Sequence, residues 1–325
     1  MKNWWYIGVI LLLSAEMGQA QQTPLYDQYM LNPYLINPAV AGSDGYTTFN
    51  LLARNQWVGF KGAPLTQAFT FQSRLLKRSF VVKSRSPKKR TLKPSRSGRV
   101  GLGGMVFNDL NGVMQRTGVN FTYAYHIRIQ KTQLSFGLTG QVYQVKLHDK
   151  DLTFHDPNEP LLGTGLQRVI FVPDANFGIF LLNYSYFAGF SVHQLFESYL
   201  KLGNASWKNY HMLRHYYLYG GYRFMINNNL DIEPSMLLKT TRQFLVQGDL
   251  NVKMYYNRMF WFGLSYRSLS SFAALLGVRA DRYYFGYAFD FGFNNLDRRT
   301  YGSHEFMISL KLGDSARRYR WLERY

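Results

Sequence analysis

The sequence predicts an all-β fold: a transmembrane outer-membrane β-barrel of about 14 antiparallel strands. Three observations lead there. From Tyr46 onward the chain divides into fourteen segments of alternating polarity, roughly 46–56, 65–75, 100–108, 115–128, 132–147, 174–183, 185–193, 211–225, 230–239, 243–255, 258–267, 271–280, 282–293 and 303–313. Such alternation has the two-residue period of a strand. Most segments reach the ~9–11 residues that cross a bilayer, whereas sandwich strands average about five or six. The connections also fall into two sets, short on one side and mostly long on the other, as in outer-membrane barrels.

The start of the chain, "MKNWWYIGVILLLSAEMGQAQQ", has the form of a secretory signal peptide over residues 1–20. Lys2 supplies the positive start, Ile7–Leu13 the apolar run, and Gly18-Gln19-Ala20 the small residues of a cleavage site. The apolar run is too short to span a bilayer of roughly 30 Å. No Cys precedes the cut, so no lipid anchor is expected.

Residues 21–45 form a strap ahead of the first strand. Its centre reads "YDQYMLNPYLINPAVAG" (Tyr26–Gly42). Pro33 and Pro38 fix φ and bias Asn32 and Asn37 toward extended geometry, so no continuous helix is possible. Tyr29, Met30, Tyr34, Leu35 and Ile36 are too apolar for a free tail. At a barrel mouth such a strap either enters and plugs the lumen or offers a docking surface, and the residues alone leave both open.

Residues 46–313 then make the barrel. In "YYFGYAFDF" (Tyr283–Phe291) the odd positions form an aromatic band and the even positions are small or polar. In "FLVQGDLNVKMYY" (Phe244–Tyr256), Phe244, Val246, Leu250, Val252, Met254 and Tyr256 face one way and Gln247, Asp249, Asn251 and Lys253 the other. The apolar face is expected against lipid, and the polar face in the lumen. An even strand number returns both ends to one side, read as periplasmic. The turns there, such as Gln130, Asn183-Tyr184 and Ala280-Asp281, are short. Gln56–Pro64, Asp109–Val113, His148–Pro173, Leu195–Tyr210 and Asn294–Gly302 lie opposite.

The formal charge is +19. It first suggests nucleic acid, but its distribution argues otherwise. Lys77–Arg99 carries ten Lys/Arg and no acid, more than half of the surplus. A run of this kind reads as a basic periplasmic loop, over residues 76–99, either solvated or meeting an acidic partner. Residues 314–325 follow as a short basic-aromatic periplasmic tail.

Signs of catalysis are sparse. The sequence has no Cys, hence no thiolate chemistry or thiolate metal site. It also lacks G-x-S-x-G, H-E-x-x-H and P-loop patterns. His211 and His215, if on one strand, stand ~13 Å apart, too far to share an ion. Ser191 and His193 share a strand face, the one hint of a barrel hydrolase, without an evident acidic orienter. Asp249, Asp290 and Glu233 are read as lumen acids paired with neighbours such as Lys253. His304 and Glu305 are adjacent on a strand, so they face opposite ways, and a structural role at the rim is expected. The glycines of "GLGG" (Gly101–Gly104) are read as relief of crowding at a bend. No cofactor is expected.

Two stretches carry a family resemblance. "QYMLNPYLINPAVAGS" followed by "RNQWVGFKGAPLTQAFTFQS" (Arg54–Ser73) resembles the start of the PorP/SprF family, and "YAFDFGFNNL…GSHEFMISL" (Tyr287–Leu310) its last hairpin. Members are outer-membrane proteins of the type IX secretion system of Bacteroidetes. The resemblance implies a fourteen-stranded barrel without enzymatic activity. It also implies a role in protein export and gliding motility, or in holding the C-terminal sorting domain of a secreted adhesin or enzyme at the cell surface. The alternative reading is an outer-membrane pore. Arg54, Asn55, Gln56, Trp57, Gly62, Ala63 and Pro64 match the family's first outer-loop motif, whose other reading is a folded-in loop with Arg54 paired to a lumen acid. The residues expected to bind partners are Tyr29, Asn32, Pro33, Asn37 and Pro38 on the strap, then Arg54, Gln56, Trp57 and Phe60, and Lys88, Lys89 and Arg90 in the basic loop. The partners expected are outer-membrane lipid, a sorting domain, and periplasmic or outer-membrane secretion components, with no nucleic acid.

Overall fold

A computed structural model of the chain describes residues 26–75, 99–148, 169–197, 199–200, 210–268, 270–293 and 299–313. The expected signal peptide, most of the basic loop with Lys88, Lys89 and Arg90, and the tail lie outside the described residues.

The chain forms a closed barrel of fourteen antiparallel strands: β1 (Thr47–Asn55), β2 (Leu65–Leu75), β3 (Val100–Asn111), β4 (Met114–Ile129), β5 (Thr132–Leu147), β6 (Val169–Leu182), β7 (Tyr186–His193), β8 (His215–Tyr222), β9 (Leu230–Thr241), β10 (Val246–Tyr256), β11 (Phe260–Arg267), β12 (Ser271–Ala280), β13 (Tyr283–Gly292) and β14 (Ser303–Leu312). Each strand pairs with its neighbours in sequence, and β1 closes the ring on β14 with Thr47 opposite Leu312 and Asn55 opposite His304. Closure matters because lipid offers no partner to an unpaired backbone edge. β8 is interrupted at Arg223 and resumes at Phe224–Met225, still paired to β9.

Several strand bounds differ from the sequence expectation: β6 begins at Val169, inside the expected His148–Pro173 loop, and β10 begins at Val246, leaving Phe244 in the turn before it. β8 begins at His215. His211 belongs instead to a two-residue ribbon in the loop before it, Tyr199–Leu200 against Tyr210–His211. β3 and β4 run on to a tight hairpin at Gly112-Val113, so the expected Asp109–Val113 loop is mostly strand. Glycine at 112, with φ 58°, is what lets the chain turn so soon.

Alternation places the faces as the polarity pattern requires. On β10, Val246, Leu250, Val252, Met254 and Tyr256 point outward, while Asp249, Asn251 and Lys253 are buried inside. On β13, Phe285 and Phe291 are outward, and Ala288 and Asp290 inward. The outer surface is a continuous apolar band, with Phe121 and Leu250 more than 60% exposed.

The interior departs from a plain polar channel. A ring of fourteen strands is too wide for wall side chains alone to fill. The strap fills it. Tyr26–Ser43 lies inside the barrel as three single turns of 3₁₀ helix, Gln28–Met30, Pro33–Leu35 and Pro38–Val40. Two begin with proline, which has no N–H to lose at that position and a fixed φ. Tyr29, Met30, Tyr34, Leu35, Ile36 and Val40 pack with Phe180, Leu182, Tyr219, Tyr255 and Trp261 of the wall in one apolar cluster. Each such side chain taken from water contributes about 1.5–3 kcal/mol, which offsets the entropy of ordering the strap.

Candidate functional site

The strap is seated by chemistry supplied from all round the wall. Its backbone and side chains are claimed in turn. The Gln28 amide N–H donates to Glu305 Oε1 at 3.0 Å, and that of Asp27 to Glu305 Oε2 at 2.8 Å. Lys253 Nζ donates to the Met30 carbonyl at 2.9 Å, and Asn251 Nδ2 to the Tyr29 hydroxyl at 2.7 Å. Asn32 reaches Thr70, and the Tyr34 and Thr122 hydroxyls bond at 2.8 Å. Asn37 caps the third turn through Ala39 N–H and also donates to the Ile179 carbonyl on the far wall. His126 donates to the Ala41 carbonyl. These partners lie on β2, β4, β6, β10 and β14, so the strap crosses the lumen and ties opposite walls together.

Small residues of the wall make the seat. A Cβ on Gly137 would lie 2.3 Å from Ala39 N, one on Gly178 2.0 Å from Asn37 Oδ1, and one on Gly103 2.8 Å from the Tyr34 hydroxyl. Gly101 and Gly103, read from the sequence as bend relief, instead make room for the strap.

One end of the strap sits in a buried charge cluster. Arg54 pairs with Asp27, with Asp290 at 2.9 Å and with Glu305 at 3.0 Å. Arg267 holds Asp27 at 3.0 Å and Asp249 at 3.4 Å. Burial alone would raise the Asp27 carboxyl. The Arg54 and Arg267 guanidiniums overcome that and hold it below the usual carboxylate range. Burial pushes the Tyr34 phenol up to about 12 and raises Tyr29 as well, so both remain neutral hydrogen-bonding groups.

The structure sorts the sequence-derived site residues into two places. Tyr29, Asn32, Asn37 and Pro38 are buried in the lumen, and Pro33 is half-buried there. Arg54 joins them, paired to lumen acids, which is the second of the two readings of its motif. Gln56 and Trp57 lie at the end of the barrel where β1 ends and β14 begins, and Phe60 stands 49% exposed there. Trp57 has a φ of 51°, an uncommon backbone for so large a residue, and its N–H donates to Ser303 Oγ at 3.2 Å. The Val58 N–H donates to the Gly302 carbonyl and the Tyr301 N–H to the Val58 carbonyl, so this loop is folded onto the segment before β14.

The remaining candidates resolve as follows. Glu305 is not a rim group: it is fully buried and holds the strap, while His304 faces outward against Tyr287 at 2.7 Å. Lys253 pairs with Glu233 at 2.8 Å, as the lumen pattern suggested. Ser191 Oγ and His193 Nε2 both donate to the Ile36 carbonyl, so this pair holds the strap. Among the described residues no group of three metal-ligating side chains occurs. Asp27 and Arg267 were missed. Asp27 is a single acid in an apolar tract, and only the pairing of strands brings Arg267 to it.

The family model for the type IX secretion system membrane protein PorP/SprF matches residues 18–310, nearly the whole chain. The chain belongs to the PorP/SprF family. The match covers the strap, thirteen strands and most of β14, so the plug lies within the PorP/SprF unit. No individually curated protein matches the sequence. Among solved structures, the barrel is similar to the Pseudomonas putida toluene transporter TodX, with 10% identity, 92% of this chain and 95% of that chain covered and a TM-score of 0.45. It is also similar to the Acinetobacter baumannii outer membrane protein Omp33, with 7% identity, coverage of 83% and 99%, and a TM-score of 0.43. The shared feature is the barrel, and nothing about the PorP/SprF lumen is drawn from them.

Proposed function

We propose that this barrel is a non-enzymatic component of type IX secretion that holds a secreted protein, through its C-terminal sorting domain, at the outer face of the outer membrane. In this reading the chain termini and the basic loop face the periplasm, and Trp57 and Phe60 lie on the outer rim. The observation that carries it is the strap. A conduit for cargo or solutes needs an open path. Here the lumen is crossed by a segment bonded to strands all round the wall and packed in an apolar core. A filled barrel suits a fixed anchor that works through its rim. Support for gliding motility is a further possibility of the family and follows from the same anchoring if the cargo is a motile adhesin.

The test is deletion of the gene followed by fractionation of proteins that end in a sorting domain. Loss of one such protein from the surface into the medium, with the others unaffected, is the result expected of an anchor. Accumulation of all of them in the periplasm assigns the barrel to the export machine instead. Unchanged surface display and export would contradict both.

A further inference from the structure

The strap does not fill the lumen from end to end. On the side where β1 begins and β14 ends it forms the floor of a vestibule, with Met30, Leu31 and Val40 below and Phe180, Tyr255 and Trp261 among the walls. A lumen that merely needed closing would be expected to end in polar side chains where it meets water. This one presents an aromatic-walled cavity of about 110 Å³. An engineered apolar cavity of roughly 150 Å³ takes benzene, so the space here suits one ring-sized side chain rather than a lipid tail.

Charge surrounds the same opening. Beside the Arg223–Asp231 and Lys253–Glu233 pairs, this mouth carries Arg128, Lys131, Arg258, Arg279, Arg282 and Lys311 against only Asp44 and Asp281, which pair with Lys311 and Arg282. Arg258 is exposed on its turn, and Arg279 and Lys311 both lie over the Tyr284 ring, at 5.4 and 4.9 Å. Among the described residues this mouth therefore carries more positive than negative charge. A positive mouth steers and retains an acidic partner.

From the cavity and its charged rim together we infer a binding pocket: this vestibule takes a single aromatic side chain presented by an acidic segment of a partner protein. The inference goes beyond the anchoring function and does not depend on which side of the membrane the mouth faces.

The experiment uses the full chain in nanodiscs of zwitterionic lipid, with empty nanodiscs as blank. Binding of three fluorescein-labelled peptides is followed by polarisation: Asp/Glu with one central Phe, the same peptide with Ala for Phe, and a Lys/Arg peptide with Phe. The acidic Phe peptide is expected to bind about tenfold or more tighter than its Ala counterpart, the gain from burying one ring. The basic peptide is expected not to bind, and added salt to weaken the acidic one. Ser309→Trp, which places a ring into the cavity from the wall, should abolish the Phe-over-Ala preference. Arg258→Glu, on an exposed turn, should weaken both acidic peptides alike without touching the core. Equal affinity for the Phe and Ala peptides, binding of the basic peptide, or an unchanged Phe preference in a folded Ser309→Trp barrel would each overturn the proposal. Loss of binding to this pocket would leave surface anchoring of cargo untested and unharmed, so the two readings fail separately.

Discussion

Arg54 and Glu305 face each other across the seam where the first strand meets the last, in register and 3.0 Å apart, both fully buried. The same glutamate accepts the Asp27 and Gln28 amides, so one contact joins barrel closure to strap docking.

Replacing Arg54 with Met should therefore cost more than a surface ion pair. It would leave Asp27, Asp290 and Glu305 buried with much of their compensation gone, and breaking a buried pair on one side costs about 3–5 kcal/mol. Urea unfolding of the barrel in detergent, followed by heat-modifiable migration on gels, should show a clearly lower midpoint. A midpoint equal to that of the unaltered chain would mean that the cluster does not support the seam.

Gly137 and Gly140 offer a matched pair on β5. A side chain at Gly137 would collide with the strap backbone, whereas one at Gly140 meets nothing within 4 Å. Gly137→Val should displace the strap or cost about 1–3 kcal/mol through overpacking, and Gly140→Val should do neither. Limited proteolysis within Tyr26–Gly42 reads the difference, and equal protection in the two variants would count against a seated strap.

Phe121 lies near the middle of β4 on the outer face, 64% exposed. Phe121→Lys should cost roughly 2–4 kcal/mol if that face meets the bilayer core. Ala288→Ser on the lumen face should be tolerated far better. Equal assembly of both variants would reverse the assignment of faces.

Changing Lys88, Lys89 and Arg90 to Gln should leave barrel assembly unchanged and reduce co-purification of acidic partners, most visibly at low salt. Exposed contacts are weak singly and screened beyond ~8 Å at physiological ionic strength. Co-purification that survives at every ionic strength would show that the loop is not an electrostatic dock.

The barrel was legible in the sequence because lipid imposes a strict alternation that the chain writes out residue by residue. Val246, Leu250 and Val252 against Asp249, Asn251 and Lys253 show the alternation, and the length of the segments turns the apolar face to lipid rather than to a sandwich core. The strap was legible as apolar and helix-breaking, but its place was not: nothing local in "YDQYMLNPYLINP" says that Glu305 and Lys253, more than two hundred residues away, supply its partners. The glycine seat was hidden for the same reason. Gly137 and Gly178 look like any strand glycine until the strap lies over them. Glu305 was misjudged as a rim group because its polarity was visible and its depth was not.

Conductance across a planar bilayer tests the filled barrel most directly. The full chain, inserted as purified, should show no stable open channel, and a chain lacking Tyr26–Gly42 should conduct if it still inserts. Steady porin-like conductance from the full chain, unchanged by removing the strap, would contradict the account.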